Sequence, residues 1–114
     1  MSKKVFITGG AGFIGQAVAK AFKKSGYHVK TFDLLETKER TGEHVTGTIM
    51  FPEELYNAMK GSDYVIHLAA MLGVQRTEKG RLKCLNVNIA GTVNVLEAAV
   101  KAGVKKIVFA SSSE

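Results

Sequence analysis

Hydrophobic and polar positions change their period several times along this 114-residue chain, and each change predicts an element. Lys4 to Thr8 is a short β-branched and aromatic run, which predicts a buried strand. Phe13, Ile14, Ala17, Val18, Ala21 and Phe22 then recur at helical spacing, with Gln16, Lys20, Lys23 and Lys24 opposite them. Gly26 stands where a C′ residue would close that helix. His28 to Asp33 reads as a second strand, Glu36 to Glu43 as a polar loop, and Val45 to Ile49 as a weak third strand. Pro52 suits the first position of a short helix, Glu53 and Glu54 complement its dipole, and Gly61 ends it. Asp63 to Ala69 is nearly all apolar, as a strand buried on both faces is.

A loop from Ala70 to Gly80 leads into a long helix, Arg81 to Ala102, closed by Gly103. Lys105 to Ser111 is the fifth strand. The long helix carries two apolar stripes. Leu82, Leu85, Ile89, Val93, Leu96 and Val100 form one; Cys84, Val87, Gly91, Val95, Ala98 and Ala102 form the other. One covers the sheet and the second wants another partner. The order β-α-β-(β)-α-β-α-β predicts an α/β fold, a doubly wound, mainly parallel sheet of about five strands with helices on both faces.

The segment between the first strand and first helix, Ile7 to Gly15, holds the candidate chemistry. A strand that runs through glycines into a helix aims free N–H groups and the helix dipole at one point, which suits a pyrophosphate. Two patterns fit the residues. Gly10, Gly12 and Gly15 read as G-x-G-x-x-G; Gly9, Gly12 and Gly15 read as G-x-x-G-x-x-G. A Walker loop fails, because Gln16-Ala17 stands where Lys and Ser or Thr belong. Asp33 ends the second strand, 24 positions after Gly9, where a carboxylate can bind an adenosine ribose and repel a 2′-phosphate. The Rossmann-like arrangement therefore points to NAD rather than NADP.

Composition narrows the alternatives. The net charge of +6 comes from dispersed lysines without interleaved aromatics, a solvated surface rather than a nucleic-acid site, though one that favours a diphosphate. His28, His44 and His67 lack ligand spacing, so no metal is expected. No apolar run approaches the ~20 residues that cross a bilayer, and the N-terminus lacks a signal-peptide pattern. The single cysteine, Cys84, fits a reducing cytoplasm.

Thr8–Gly15 (TGGAGFIG), His67–Ala70 (HLAA) and Asn88–Glu114 (NIAGTVNVLEAAVKAGVKKIVFASSSE) resemble the NAD-dependent epimerase/dehydratase family, the extended short-chain dehydrogenases that act on nucleotide sugars. The resemblance selects Gly9, Gly12 and Gly15 as the working glycines. It implies that Phe13 and Ile14 meet the pyrophosphate through their N–H groups, and that Asp33 and Leu34 meet the adenosine ribose. It places Thr48 and Ile49 near the adenine, Thr48 as a neutral substitute for an aspartate often found there. Leu68, Ala69, Ala70 and Met71 would line the coenzyme, and Asn88 would lie near the nicotinamide. His67 reads as a satisfied core histidine.

By the same resemblance, Ser112 takes the catalytic Ser/Thr position. The family's base, the tyrosine of a Tyr-x-x-x-Lys motif after the fifth strand, is absent. Tyr56 to Lys60 fits that spacing by chance, on the helix before the fourth strand. Phe51 replaces a polar N-cap, and Ser113 replaces an acidic residue of the dehydratases, which favours an epimerase-like member. Residues 1–114 are therefore expected to be the NAD-binding part of a longer enzyme, without its substrate domain, inactive alone and homodimeric through the long helix. The alternative is a non-catalytic dinucleotide sensor or interaction module.

Overall fold

The computed structural model describes residues 3–36, 42–68 and 78–109, with the backbone alone for 78–88. The elements are β1 (Lys4–Thr8), α1 (Phe13–Lys24), β2 (His28–Asp33), β3 (Glu43–Thr46), α2 (Pro52–Met59), β4 (Tyr64–His67), α3 (Glu78–Ala102) and β5 (Lys106–Phe109). The five strands lie in the order β3-β2-β1-β4-β5, and every neighbouring pair is parallel. The expected α/β sheet is present, and it is parallel throughout.

Alternation along the strands builds two cores. Val5, Ile7, Val29 and Ile66 face α1 through Ala19. Phe6, Phe32 and Val65 face α2 and α3 through Leu55, Met59, Val95, Ala98 and Ala99. The chain starts in the middle of the sheet, builds outward to β3, and returns through α2 to the other side of β1. The direction reverses between β1 and β4, and the carboxyl ends of strands at such a reversal form the ligand crevice of this architecture.

Helix α1 is rotated from the expected stripe. Gly15 and Ala19 are buried and Val18 and Phe22 half-buried, whereas Phe13, Ile14, Ala17 and Ala21 are exposed. Gly15 causes this: its missing Cβ is what lets the first turn touch the preceding loop, so the face carrying it turns inward. The helix ends as expected at Gly26 (φ 92°). Gly26 N–H donates to Lys23 O at 3.0 Å and Tyr27 N–H to Phe22 O at 3.1 Å. The Phe22 and Tyr27 rings meet edge-on at 5.0 Å, the apolar contact that accompanies a Schellman closure.

The third strand lies two residues earlier than expected. Glu43 and His44 belong to it because β3 is an edge, where polar residues are at home. There Glu43 Oε2 lies 3.8 Å from Lys30 Nζ and His44 Nδ1 lies 2.6 Å from Thr31 Oγ1. The fourth and fifth strands each begin one residue later than expected, at Tyr64 and Lys106, and α3 includes Glu78 to Gly80. Phe51 caps α2 without a side-chain hydrogen bond, which costs about 1 kcal/mol relative to Ser or Asp.

On α3, Gly91, Val95, Ala98 and Ala99 are buried, while Ile89, Val93, Leu96 and Val100 are exposed. The small-residue stripe covers the sheet; the large one lacks a cover among the described residues.

Candidate coenzyme-binding site

Beyond Thr8 the chain turns at Gly9 with φ 74°, a left-handed conformation that favours glycine. Gly9 N–H donates to Phe32 O at 2.8 Å and Gly12 N–H to Gly9 O at 3.3 Å, which stitches the loop to β2 and folds it on itself. Gly12 is the N-cap of α1 and has no side chain to satisfy the helix. The N–H groups of Phe13, Ile14 and Gly15 therefore begin the helix without intrahelical acceptors, and the helix dipole adds positive potential at the same point.

The glycines have different physical reasons. A Cβ on Gly15 would strike the Gly9 carbonyl oxygen and stand 2.7 Å from Gly10 Cα. A Cβ on Gly10 would run into Thr31, 2.6 Å from its Cγ2. A Cβ on Gly12 meets only Gly9 O, at an ordinary 3.6 Å, and its φ of −75° suits any residue. Among the described residues nothing requires glycine there. What a Cβ would obstruct is the outer side, where an anion approaches the helix N-terminus. The residues present fit a dinucleotide diphosphate.

Asp33 stands beside this loop. Its Oδ2 accepts the Ala11 N–H at 3.0 Å and its Oδ1 the Leu35 N–H at 3.2 Å. A carboxylate has about four acceptor positions, so two remain for ribose hydroxyls. Phe13 is 93% exposed, and Ile14, Leu34 and Leu35 are exposed as well. This gives the site an apolar rim around polar backbone groups.

At the switch point, Leu68 N–H donates to Thr8 O at 3.1 Å and to Thr8 Oγ1 at 3.0 Å, which brings the ends of β1 and β4 together. His67 is buried beside them. Its Nδ1 lies 2.7 Å from Thr8 Oγ1, its Nε2 3.3 Å from Thr92 Oγ1, and its ring meets Phe109 edge-on. A neutral imidazole satisfies both hydroxyl contacts, and desolvation by burial pulls its pKa below the ordinary value.

A family model described as the NAD dependent epimerase/dehydratase family matches residues 5–114. The chain belongs to that family. The UDP-N-acetyl-alpha-D-glucosaminuronate decarboxylase of Bacillus cytotoxicus is 38% identical over 122 aligned positions, covering 100% of this chain and 38% of that protein. The 3-beta-hydroxysteroid dehydrogenase of Mycolicibacterium neoaurum is 31% identical over 96% of this chain and 32% of that protein. A short-chain dehydrogenase/reductase superfamily protein from Agrobacterium tumefaciens, solved with bound NAD, superimposes with a TM-score of 0.84 at 37% identity, covering 96% of this chain and 32% of that one. The chain thus spans between about a third and two fifths of the length of these curated relatives.

Against this family's pattern, the structure brings Gly9, Gly12, Phe13, Ile14, Gly15, Asp33 and Leu34 together around one loop. Leu68 lies at the end of β4, next to Thr8. Thr48 and Ile49 have internal work: Thr48 Oγ1 accepts the Met50 N–H at 3.1 Å, and Ile49 O accepts from Asn94 Nδ2 at 2.9 Å. The Ile49 side chain fills the space that Gly91 leaves on α3. Asn88 lies on α3, but its side chain, like Ala69, Ala70, Met71 and Ser112, falls outside the described residues. Tyr56 is half-buried on α2 against the core, with Lys101 Nζ 4.5 Å and Lys60 Nζ 5.9 Å from its ring centroid.

Sequence reasoning missed four roles. Gly10 accommodates Thr31; Gly91 and Asn94 hold Ile49; Thr92 reaches His67; and His44 joins Thr31 to the Leu35 carbonyl, its Nε2 3.0 Å from that oxygen. The only signal for the Gly91 and Thr92 roles was the resemblance around Asn88 to Val93. Nothing in the pattern pointed to His44.

Among the described residues no group of His, Cys, Asp and Glu could hold a metal ion, and no helix is long and apolar enough to cross a membrane.

Proposed function

We propose that this chain binds NAD, with the diphosphate on the N–H groups of Phe13 and Ile14 and the adenosine ribose on Asp33. Gly12 carries the reading, a glycine that internal packing leaves optional and an approaching phosphate makes necessary. Asp33 adds the preference, because its negative charge repels a 2′-phosphate. By the family resemblance, Leu34, Thr48 and Ile49 would flank the adenosine end, and Leu68 to Met71 and Asn88 would line the nicotinamide side.

The whole protein is then a nucleotide-sugar epimerase or dehydratase, of which residues 1–114 supply the coenzyme half. NAD+ would take a hydride from a sugar carbinol and return it after epimerisation or related chemistry. Ser112 would hydrogen-bond the reacting hydroxyl, and a tyrosine base would come from outside residues 1–114. The resemblance to a UDP-sugar decarboxylase supports a nucleotide sugar. The resemblance to a steroid dehydrogenase supports a 3β-hydroxysteroid as the second reading, so both are to be offered to the full-length protein.

Titration of residues 1–114 with NAD and NADP, alongside Asp33→Ala, tests the coenzyme assignment. The unmodified chain is expected to prefer NAD, and Asp33→Ala to narrow the difference. A preference for NADP in the unmodified chain overturns it. Residues 1–114 are expected to turn over neither substrate, and epimerisation of a UDP-sugar by them alone would refute the division of labour.

A further inference from the structure

The acceptor pattern of Asp33 leads beyond ribose recognition. Its two oxygens are both engaged within the protein, Oδ2 by Ala11 N–H at 3.0 Å and Oδ1 by Leu35 N–H at 3.2 Å. Ala11 is the middle residue of the turn between Gly9 and Phe13. The rest of that turn is tied elsewhere: Gly9 N–H to Phe32 O, and Gly10 O to Gln16 Nε2 at 2.7 Å. Leu35, on the other side, is presented by a fixed segment. Its carbonyl meets His44 Nε2 at 3.0 Å, and His44 Nδ1 rests on Thr31 Oγ1 at 2.6 Å. Thr31 in turn packs beneath Gly10, leaving no room there for a Cβ. The contacts form a closed ring around the loop, through Gly10, Thr31, His44, Leu35, Asp33 and Ala11.

We propose that Asp33 is a positioning residue for the diphosphate loop as well as the ribose acceptor, holding Ala11 so that the N–H groups at the start of α1 keep their aim. The proposal rests on the NAD reading for its ligand, but its physical core, the bond from Ala11 to the carboxylate, is a contact within the protein. The alternative role, ribose acceptor alone, makes the opposite prediction for a ligand without ribose hydroxyls. Removing a negative charge near a phosphate site strengthens anion binding. Removing a support of the loop weakens it.

The experiment uses the full chain, Asp33→Ala, and 2′,3′-dideoxy-ADP, whose ribose offers nothing to the carboxylate. Amide hydrogen exchange is measured without ligand, and affinity by titration at constant ionic strength. Exchange at Ala11 is expected to accelerate about tenfold, and dideoxy-ADP to bind about tenfold more weakly, the scale of one hydrogen bond to a charged acceptor. An unchanged Ala11 rate, or unchanged or tighter dideoxy-ADP binding, overturns the proposal. If Asp33→Ala does not fold, Asp33→Leu, which keeps the bulk and removes both acceptor oxygens, carries both readouts, with the same outcomes deciding. Failure of the NAD reading is seen separately, as a preference of the unmodified chain for NADP.

Discussion

Gly12 and Gly15 lie three residues apart in one motif, yet their physical reasons point in opposite directions. Gly15 faces inward, where a methyl group collides with the Gly9 carbonyl and Gly10. Gly15→Ala should lose about 1–3 kcal/mol of stability, the range for overpacking a tight contact. Gly12→Ala, at φ −75° with open space outside, should change stability by less than about 1 kcal/mol but weaken NAD binding clearly. Urea unfolding beside NAD titration separates the two. A Gly12→Ala variant that binds NAD normally would remove the main support for a diphosphate at this turn.

His67 offers a second test at this scale. Burial lowers its folded pKa, while the unfolded ring keeps the ordinary value near 6.5. Below that value the unfolded chain binds the proton more readily, so stability rises with pH and is lost as pH falls from about 6.5 through the folded pKa. Melting temperatures between pH 7.5 and 5 should decline, and decline less in His67→Asn. Equal slopes for the two proteins would show that burial does not hold the ring neutral.

At the scale of elements, legibility followed the strength of the local signal. β1, β2 and the C-terminal ends of α1 and α3 were legible because β-branched runs and closing glycines act locally. The face of α1 was not. A helical stripe of Phe13, Ile14, Ala17 and Ala21 is apolar enough to be a core face, and only the contact made by Gly15 turns it outward. β3 was misplaced for a related reason, since Glu43 and His44 are strand residues only opposite Lys30 and Thr31. The glycine loop and Asp33 were readable from spacing; the bond between Ala11 and Asp33 was not, because it depends on how β1 and β2 sit side by side.

The seating of α3 has the same long-range character. Gly91 leaves room for Ile49, whose Cγ1 would stand 2.9 Å from an added Cβ, and Asn94 holds the Ile49 carbonyl. Gly91→Ala should destabilise by about 1–2 kcal/mol, and combining it with Ile49→Ala should cost less than the sum of the two changes. Simple additivity in denaturant unfolding would show that the two positions do not press on each other.

At the scale of the whole molecule, the described residues leave a large apolar face uncovered. Ile89, Val93, Leu96 and Val100 follow one another on α3 at spacings that keep them on one side, and Val100 is 81% exposed. On β5, an edge of the sheet, Val108 and Phe109 are exposed as well. An apolar helix face and an open strand edge on the same half of a domain recruit other chains by different means, burial in one case and backbone pairing in the other. Fully burying one such side chain contributes about 1.5–3 kcal/mol, and although Val93 and Leu96 have under half of their surface left to bury, the four together act against the freedom lost on association. Residues 1–114 should therefore show a molar mass that rises with concentration in light scattering. Val93→Glu with Val100→Glu should suppress the rise if the helix face is the contact, because two buried carboxylates would face their own copies. A rise that survives the double substitution would move the contact to the β5 edge, and a constant monomer mass in the unmodified chain would refute association through either surface.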